Sequence, residues 1–474
     1  MELDNRALPL TRVQLDIWLA EETGRFGAKW QLGELVRIEG TVEPGLLESA
    51  IRQVVREAEP LRAAFYQVDG HVFQKTVDHP DVELARYDLI GSEDPVQEGY
   101  RLASSIQGTL MPLSGPLFKF ALLQTRADEF YWFVCCHHIV VDGIGLALVL
   151  HRIVEVYNAM ASGASIPPAF FGSLSDLIYC ELEYEASPDY LDDQAYWTRN
   201  LPPENGPHYR LAHAAAGVRD VDEFTAPIQL DPVVIAETRQ LAQALGVRPA
   251  SVITASCALL VRGCDVEGSE VALDFPVSRR VRPEVQTVPG MISGVVPLVL
   301  KASPGSAVAD FCQHVDTRMR EALQHQRFPV QAIENKTRFR GSGQASNRVV
   351  INFIPTTPLG HFAGAAASGT LTHAGFGDQF GLVFFRDEDQ LFLSTAGAGQ
   401  LFSTFDVCDL AKRLERVLAA MTADPTRPLS SMGLLDELEH ARVEEWGNRA
   451  VLTAPASTPE SIPVLFDAQA ARTA

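Results

Sequence analysis

Two adjacent imidazoles, His137 and His138, close the apolar run Phe130-Tyr-Trp-Phe-Val-Cys-Cys136, and Asp142 and Gly143 follow four and five residues beyond the second of them. Histidine has an ordinary pKa near ~6.5, so much of it is neutral at pH 7 and can take a proton from an attacking amine or hydroxyl. Asp142 has two possible uses. It could hydrogen-bond the imidazole, or it could turn away and lock the loop through an arginine, leaving the histidine free. Gly143 would let a substrate approach the backbone closely, or supply a positive φ. A metal site is the competing reading, but neighbouring residues of an extended segment face opposite sides, which disfavours both histidines on one ion. No metal is expected, and packing alone explains so dense a polar cluster poorly.

Other chemistries are thinly represented. No Gly-x-Ser-x-Gly stands in a strand-turn-helix context; Gly341-Ser342-Gly343 lies in a polar, basic stretch. A glycine-rich phosphate loop with Lys-Ser/Thr is absent as well. The residues therefore offer a base without a covalent nucleophile or an ATP site, which suits direct transfer of an already activated acyl group, with His138 assisting the attacking group.

The elements that must position this cluster are readable around it. Phe130 to Cys136 is aromatic and β-branched and of strand length, so it is expected as a central strand buried on both faces. From Gly143 onward Ile144, Ala147, Leu148, Ile153, Val154 and Tyr157 recur at helical spacing, which makes the intervening segment a strand-to-helix turn. A helix is expected over 43–59, ending near Glu59-Pro60. Further helices are expected at Pro232 to Leu245 and Ala250 to Arg262, with strands at Glu270 to Phe275 and Val295 to Leu300. The Ala/Gly-rich stretch Gly360 to Gly369 reads as a loop. The fold class is mixed α/β in both halves, with a boundary near residue 175, and the Thr/Ala/Pro/Ser texture after Trp446 reads as a linker beyond a folded unit ending around 450.

A chain of 474 residues, 46% hydrophobic and 21% charged, can fill more than one core. Its apolar runs stop short of the ~18 residues that read as a membrane span, and no secretory signal is readable, so a soluble cytoplasmic protein is expected. Seven scattered cysteines, without a CxxC pair and with no zinc-ligand spacing around Cys257 or Cys264, are expected to be reduced thiols. The net charge of −21 opposes nucleic-acid binding. Basic patches at Arg279 to Arg282 and Arg338 to Arg348 read as solvated surface charge, with an acidic protein surface as the other use.

Taken together, the residues resemble the condensation domains of nonribosomal peptide synthetases, relatives of chloramphenicol acetyltransferase, over nearly the whole chain. His137-His138-x-x-x-Asp142-Gly143 is similar to the family's central motif. Leu10-Thr11-x-x-Gln14-x-x-Ile17-Trp18 resembles the first motif, Pro60-Leu61-Arg62-x-x-Phe65 the second, and Ser175-Asp176-Leu-Ile-Tyr179, more loosely, the fourth. Pro289-Gly290-Met291-Ile-Ser293-Gly294-Val-Val-Pro297-Leu298 resembles the fifth, His325-Gln-Arg327-Phe-Pro329 the sixth and Asn347 to Pro355 the seventh.

The resemblance implies two acetyltransferase-like lobes, 1–175 and 176–450, arranged in a V with an active-site tunnel between them. Residues 451–474 would be a linker and the start of an adenylation domain. It implies an acyltransferase joining a thioester-activated acyl donor to the α-amine of an aminoacyl group. Substrates would ride on the 4′-phosphopantetheine of partner carrier proteins, or on coenzyme A for the donor, with no cofactor bound intrinsically. His138 carries over as the base, His137 as its companion, Asp142 as a salt-bridge residue with Arg280, and Arg62 as a further structural salt-bridge residue. Met291, Ser293 and Gly294 carry over to the substrate tunnel. Two departures stand out: Gly294 replaces a common Asn, and Arg279 a common Gly. The intact histidine pair speaks against heterocyclisation. The spacing of the first motif and the 289–298 motif look like a starter-type domain that N-acylates a first amino acid; elongation, epimerisation and silent recruitment are the alternatives. An adjoining adenylation domain, a monomeric state and no nucleic-acid or membrane partner complete these expectations.

Overall fold

The computed structural model describes residues 7–22, 30–78, 80–202, 226–263, 269–338, 348–355, 359–375, 380–387, 389–396, 406–447 and 461–473. In chain order, β1 (Leu8–Pro9), α1 (Arg12–Glu22), β2 (Gln31–Glu39) and α2 (Pro44–Glu57) are followed by β3 (Ala63–Val68), β4 (His71–Thr76), β5 (Leu84–Asp88) and α3 (Pro95–Gln107). Then come β6 (Phe118–Arg126), β7 (Glu129–His137), α4 (Gly143–Ser162), α5 (Leu174–Glu185) and α6 (Pro188–Asn200). The later part contains β8 (Ile228–Gln229), α7 (Pro232–Leu245), α8 (Pro249–Arg262), β9 (Glu270–Val277), α9 (Pro283–Gln286), β10 (Gly294–Lys301), α10 (Val308–Gln324) and α11 (Gln331–Arg338). It closes with β11 (Val349–Pro355), β12 (His361–Phe362), β13 (Ala365–Ala374), β14 (Gly381–Asp387), β15 (Gln390–Ala396) and α12 (Val407–Ala423).

The chain divides into a unit of residues 1–430 and a second of 431–474. In the second unit, α13 (Glu437–Trp446) starts at a capping box in which Asp436 and Glu439 exchange side-chain to backbone hydrogen bonds, and α14 (Ile462–Thr473) follows. Most of the expected linker, 448–460, lies outside the described residues.

Among the described residues, two six-stranded sheets and a small three-stranded one build the first unit. The first sheet has the order β12-β13-β2-β7-β6-β5, with β7 antiparallel to both neighbours. Every residue of β7 is buried, because both faces are covered and the unbroken Phe-Tyr-Trp-Phe-Val-Cys-Cys run supplies apolar side chains to each. Helix α2 buries Leu47, Ala50, Ile51, Val54 and Val55 on one stripe and packs on α4. Helix α4 is long and apolar enough to cross a bilayer, yet half its length is spent inside this core, from Leu146 and Val149 to Val156 and Tyr157. The second sheet runs β10-β9-β11-β14-β15-β8.

The segment expected as a loop, 360–369, departs from its reading. It forms the β12–β13 hairpin, and β13 pairs antiparallel with β2, so a strand from the far half of the chain completes the first sheet. Alanine and glycine have low strand propensity; pairing with β2 overrides it. A division at 175 therefore does not separate the two sheets. The hairpin is anchored by Phe362, fully buried between Trp132 of β7 and Tyr157 of α4 at ring-centroid distances of 5.8 and 5.3 Å. Phe362→Ala should lower the unfolding free energy by about 3–5 kcal/mol, read from the urea midpoint of the first unit's transition.

Candidate active site

The turn between β7 and α4 is fixed from several directions. The His137 amide donates to Leu117 O at 2.9 Å, and the His138 amide to Trp30 O at 2.7 Å. Gln14, the buried glutamine of the first motif, donates through Nε2 to Ile139 O at 3.1 Å and pairs with Gln74. The two imidazoles take different environments. His137 is buried, accepts the Ile139 amide at Nδ1 (3.1 Å), and has Nε2 3.6 Å from Glu21 Oε1. His138 keeps part of its surface exposed, lies edge-on to Trp30 at 6.5 Å, and has a buried Nδ1 with no side-chain hydrogen-bond partner among the described residues. Burial pushes its pKa below the ordinary histidine value, with Asp142 opposing from a distance. The ring is neutral at pH 7.

Asp142 takes the second of its two expected uses. Its carboxylate faces Arg280, with Nη1 at 2.6 Å from Oδ2 and Nη2 at 2.9 Å from Oδ1, both side chains at most 5% exposed. The same two oxygens accept the amides of Ile292 (3.1 Å) and Ser293 (2.9 Å), and cap α4 through Gly145 N (2.8 Å). Arg280 Nη2 reaches Val288 O and Gly290 O, each at 3.2 Å. Burial alone would raise the Asp142 pKa; the guanidinium and the amides outweigh it and hold the carboxyl below its usual range.

Gly143 opens α4 without a positive φ and with nothing within 4 Å of the position a Cβ would take, so it leaves open space beside the turn. The glycine on which the packing depends is Gly145, which no motif singles out. A Cβ there would stand 3.1 Å from the Pro289 carbonyl carbon and 3.2 Å from Gly290 N.

Other expected residues sit differently from their reading. Arg62 forms no ion pair among the described residues; its Nη1 donates to Val77 O at 2.9 Å and its carbonyl accepts Val77 N at 2.8 Å, which clips the chain after β4. A backbone carbonyl, not a carboxylate, is its acceptor. Met291 is buried and lines a cavity of about 50 Å3 with Arg12, Glu181, Tyr184, Arg279 and Ile292. Ser293 serves Asp142 through its amide. At Gly294 the Arg279 guanidinium fills the place of a side chain: a Cβ would meet Arg279 Cζ at 2.2 Å. Arg279 takes a left-handed φ of 56° and points inward, donating through Nε to Gln326 O at 3.0 Å and through Nη2 to Phe328 O at 3.2 Å, both in the sixth motif.

The two basic patches are thus not plain solvated charge. Arg279 and Arg280 turn inward, and Arg282 pairs with Glu183 and Glu284. Arg348 pairs with buried Asp274 and with Glu334, while 339–347 lie outside the described residues. A second, larger cavity of about 510 Å3 lies on the His137 side, lined by Trp18, Phe65, Tyr66, Met111 and Leu113.

A two-sheet α/β unit, with a histidine pair at the end of a buried strand and an aspartate-arginine latch behind it, is the architecture of an acyltransferase. Residues 4–443 match the family described as Condensation domain, and the chain belongs to it. Condensation domains are acyltransferases that form amide bonds in nonribosomal peptide synthetases. The chain is 26% identical over 433 residues to an isonitrile lipopeptide synthase of Streptomyces coeruleorubidus, covering 90% of this chain and 29% of that protein. It is 26% identical over 481 residues to enterobactin synthase component F of Escherichia coli O157:H7, covering 98% of this chain and 36% of that protein. It therefore spans only about a third of such curated relatives, or less. Among solved structures, the first condensation domain of the CDA synthetase superposes with a TM-score of 0.77 at 26% identity, covering 92% of this chain and all of that one. The starter condensation domain of rhizomide synthetase in complex with C8-CoA and Leu-SNAC gives 0.79 at 25% identity, covering 91% and 98%.

Two outcomes follow. Because its pKa is lower folded than unfolded, Asp142 contributes stability that is fully present above the unfolded carboxyl's pKa near ~3.9 and is lost as pH falls through the folded value. Asp142→Asn, which strands the Arg280 charge, should cost about 3–5 kcal/mol at neutral pH, and urea titrations should show the gap from wild type narrowing below about pH 4. Gly294→Asn should destabilise by about 1–3 kcal/mol through collision with Arg279. Much of that loss should vanish when Arg279→Gly is combined with it, a coupling that a double-mutant cycle of melting curves measures.

Proposed function

We propose that His138 is the catalytic base of a starter-type condensation reaction, in which a thioester-bound acyl group is transferred to the α-amine of a carrier-bound amino acid. The observation that carries this reading is the division of labour in the turn. Asp142 is consumed by Arg280 and backbone amides, so the half-exposed imidazole of His138 is left neutral and without a side-chain partner. It can take a proton from the attacking amine as the nitrogen joins the thioester carbonyl carbon and pass it on to the departing sulfur. The C–N bond forms, the C–S bond breaks, and the departing thiolate takes up the proton as the thiol. His137 and the latch fix the turn, and the open space at Gly143 admits the substrates.

The amino-acid acceptor and the donor would each arrive on the phosphopantetheine of a carrier protein, the donor alternatively as acyl-CoA, meeting at His138 through a tunnel between a lobe on the first sheet, with its 361–374 hairpin, and a lobe on the second. Similarity to a starter domain solved with C8-CoA and to a lipopeptide synthase supports an acyl rather than a peptidyl donor. The last segment, 451–474, would lead into an adenylation domain, and the reaction would run in the cytoplasm.

Intact-mass spectrometry of an aminoacyl-loaded carrier, incubated with this protein and a panel of acyl-CoA, acyl-carrier and aminoacyl-carrier donors, tests the proposal. Acylation by acyl donors is expected, with His138→Ala slower by about two to four orders of magnitude. The acid limb of the wild-type rate should fall below the ordinary histidine value of ~6.5, because the base must be neutral and burial lowers its pKa. Transfer from aminoacyl or peptidyl carriers alone would make the domain an elongation unit, and full activity of His138→Ala would remove the base.

A further inference from the structure

We infer that Gly375, just beyond β13, is a positioning residue for His138: its missing side chain leaves the slot that sets the imidazole's orientation. The inference rests on His138 being the base. A Cβ built on Gly375 would fall 2.3 Å from His138 Cδ2, 3.2 Å from Nε2 and 3.3 Å from Cγ, so the backbone of Gly375 lies directly against the ring. Its φ of +67° is a conformation that side-chain-bearing residues seldom adopt. Two independent features thus require glycine.

The topology explains the meeting. Ala374 pairs with Leu32 and Leu32 with Cys136, while Gln31 pairs with His137, so the chain leaving β13 reaches the end of β7 across β2. A bulge between Leu371 and His373 shifts the register just before this point, and His373 Nδ1 sits 2.7 Å from Gln31 O and 3.1 Å from Gly375 N. The approach is therefore held by backbone pairing and by His373, whose Nδ1 either donates to Gln31 O or accepts from Gly375 N, depending on its tautomer. Trp30 also lies edge-on to the imidazole, at 6.5 Å between ring centroids. The neighbouring backbone of His138 and Val141 favours the protonated ring, and no side chain hydrogen-bonds Nδ1 among the described residues, so the contact with Gly375 is what limits how the ring can turn.

The test uses the complete chain with a loaded carrier. Gly375→Ala should lower kcat by about 100-fold, the scale of an ångström-sized misplacement, with KM for both substrates changed less than about twofold. Gly375→Asn, whose residue type tolerates a left-handed backbone, should do the same with less loss of melting temperature. Gly364→Ala is the control: Gly364 has φ +97° in the same hairpin but nothing within 4 Å of its Cβ position, so it should lose stability and keep kcat. In protein labelled with 13C-histidine, the Cδ2 resonance assigned to His138 through its absence in His138→Ala should move in both Gly375 variants and stay fixed in Gly364→Ala. Wild-type kcat with an unmoved His138 resonance in both Gly375 variants would overturn the inference while His138→Ala still shows the base at work; a fully active His138→Ala would overturn the underlying reading instead.

Discussion

Asp142 accepts hydrogen bonds from donors on both sides of the expected lobe boundary, and the geometry around the histidines depends on that carboxylate. Arg280, Ile292 and Ser293 reach it from the later half of the chain, and Gly145 from the helix it caps. Withdrawing so many donors from water is costly unless the anion is present, and burying the anion is costly without them. The latch therefore forms as a whole. Its closeness explains why Gly145 must lack a side chain, since the 289–290 backbone lies against it.

Much of this architecture is legible in the residues. The apolar run before His137 becomes β7, one residue longer at each end than read, and the helices and strands expected near 43–59, 232–245, 250–262, 270–275 and 295–300 all form with bounds shifted by no more than two residues at either end. Those segments carry their own periodicity or β-branched content, so local physics and tertiary packing agree. The 360–369 hairpin is the opposite case. Its Ala and Gly residues carry no strand signal, and only β2, far earlier in the chain, makes it a strand. Partners distant in sequence leave no local trace.

The site shows the same division. His137, His138, Asp142 and Gly143 announce themselves by type and spacing, and Arg280 entered through resemblance to a family pattern. Arg279 was visible as a departure, but its direction was not: a charge expected at the surface turns inward over Gly294 because the sixth motif offers two carbonyls there. Gly145 and Gly375 are ordinary glycines in the sequence. Their importance lies in what stands opposite them, the 289–290 backbone in one case and the imidazole in the other.

Phe362 and the strand behind it bear on how the chain is made. Until the ribosome has delivered them, β2 is an open edge and the core between Trp132 and Tyr157 lacks its plug. The earlier half must therefore wait during synthesis in an incomplete, adhesive state, the kind of intermediate that chaperones shield. The same dependence constrains recombination of such enzymes. A crossover placed between the two sheets would exchange the β12–β13 hairpin, with Phe362, for a stranger's, so chimaeras should be cut outside the hairpin's reach.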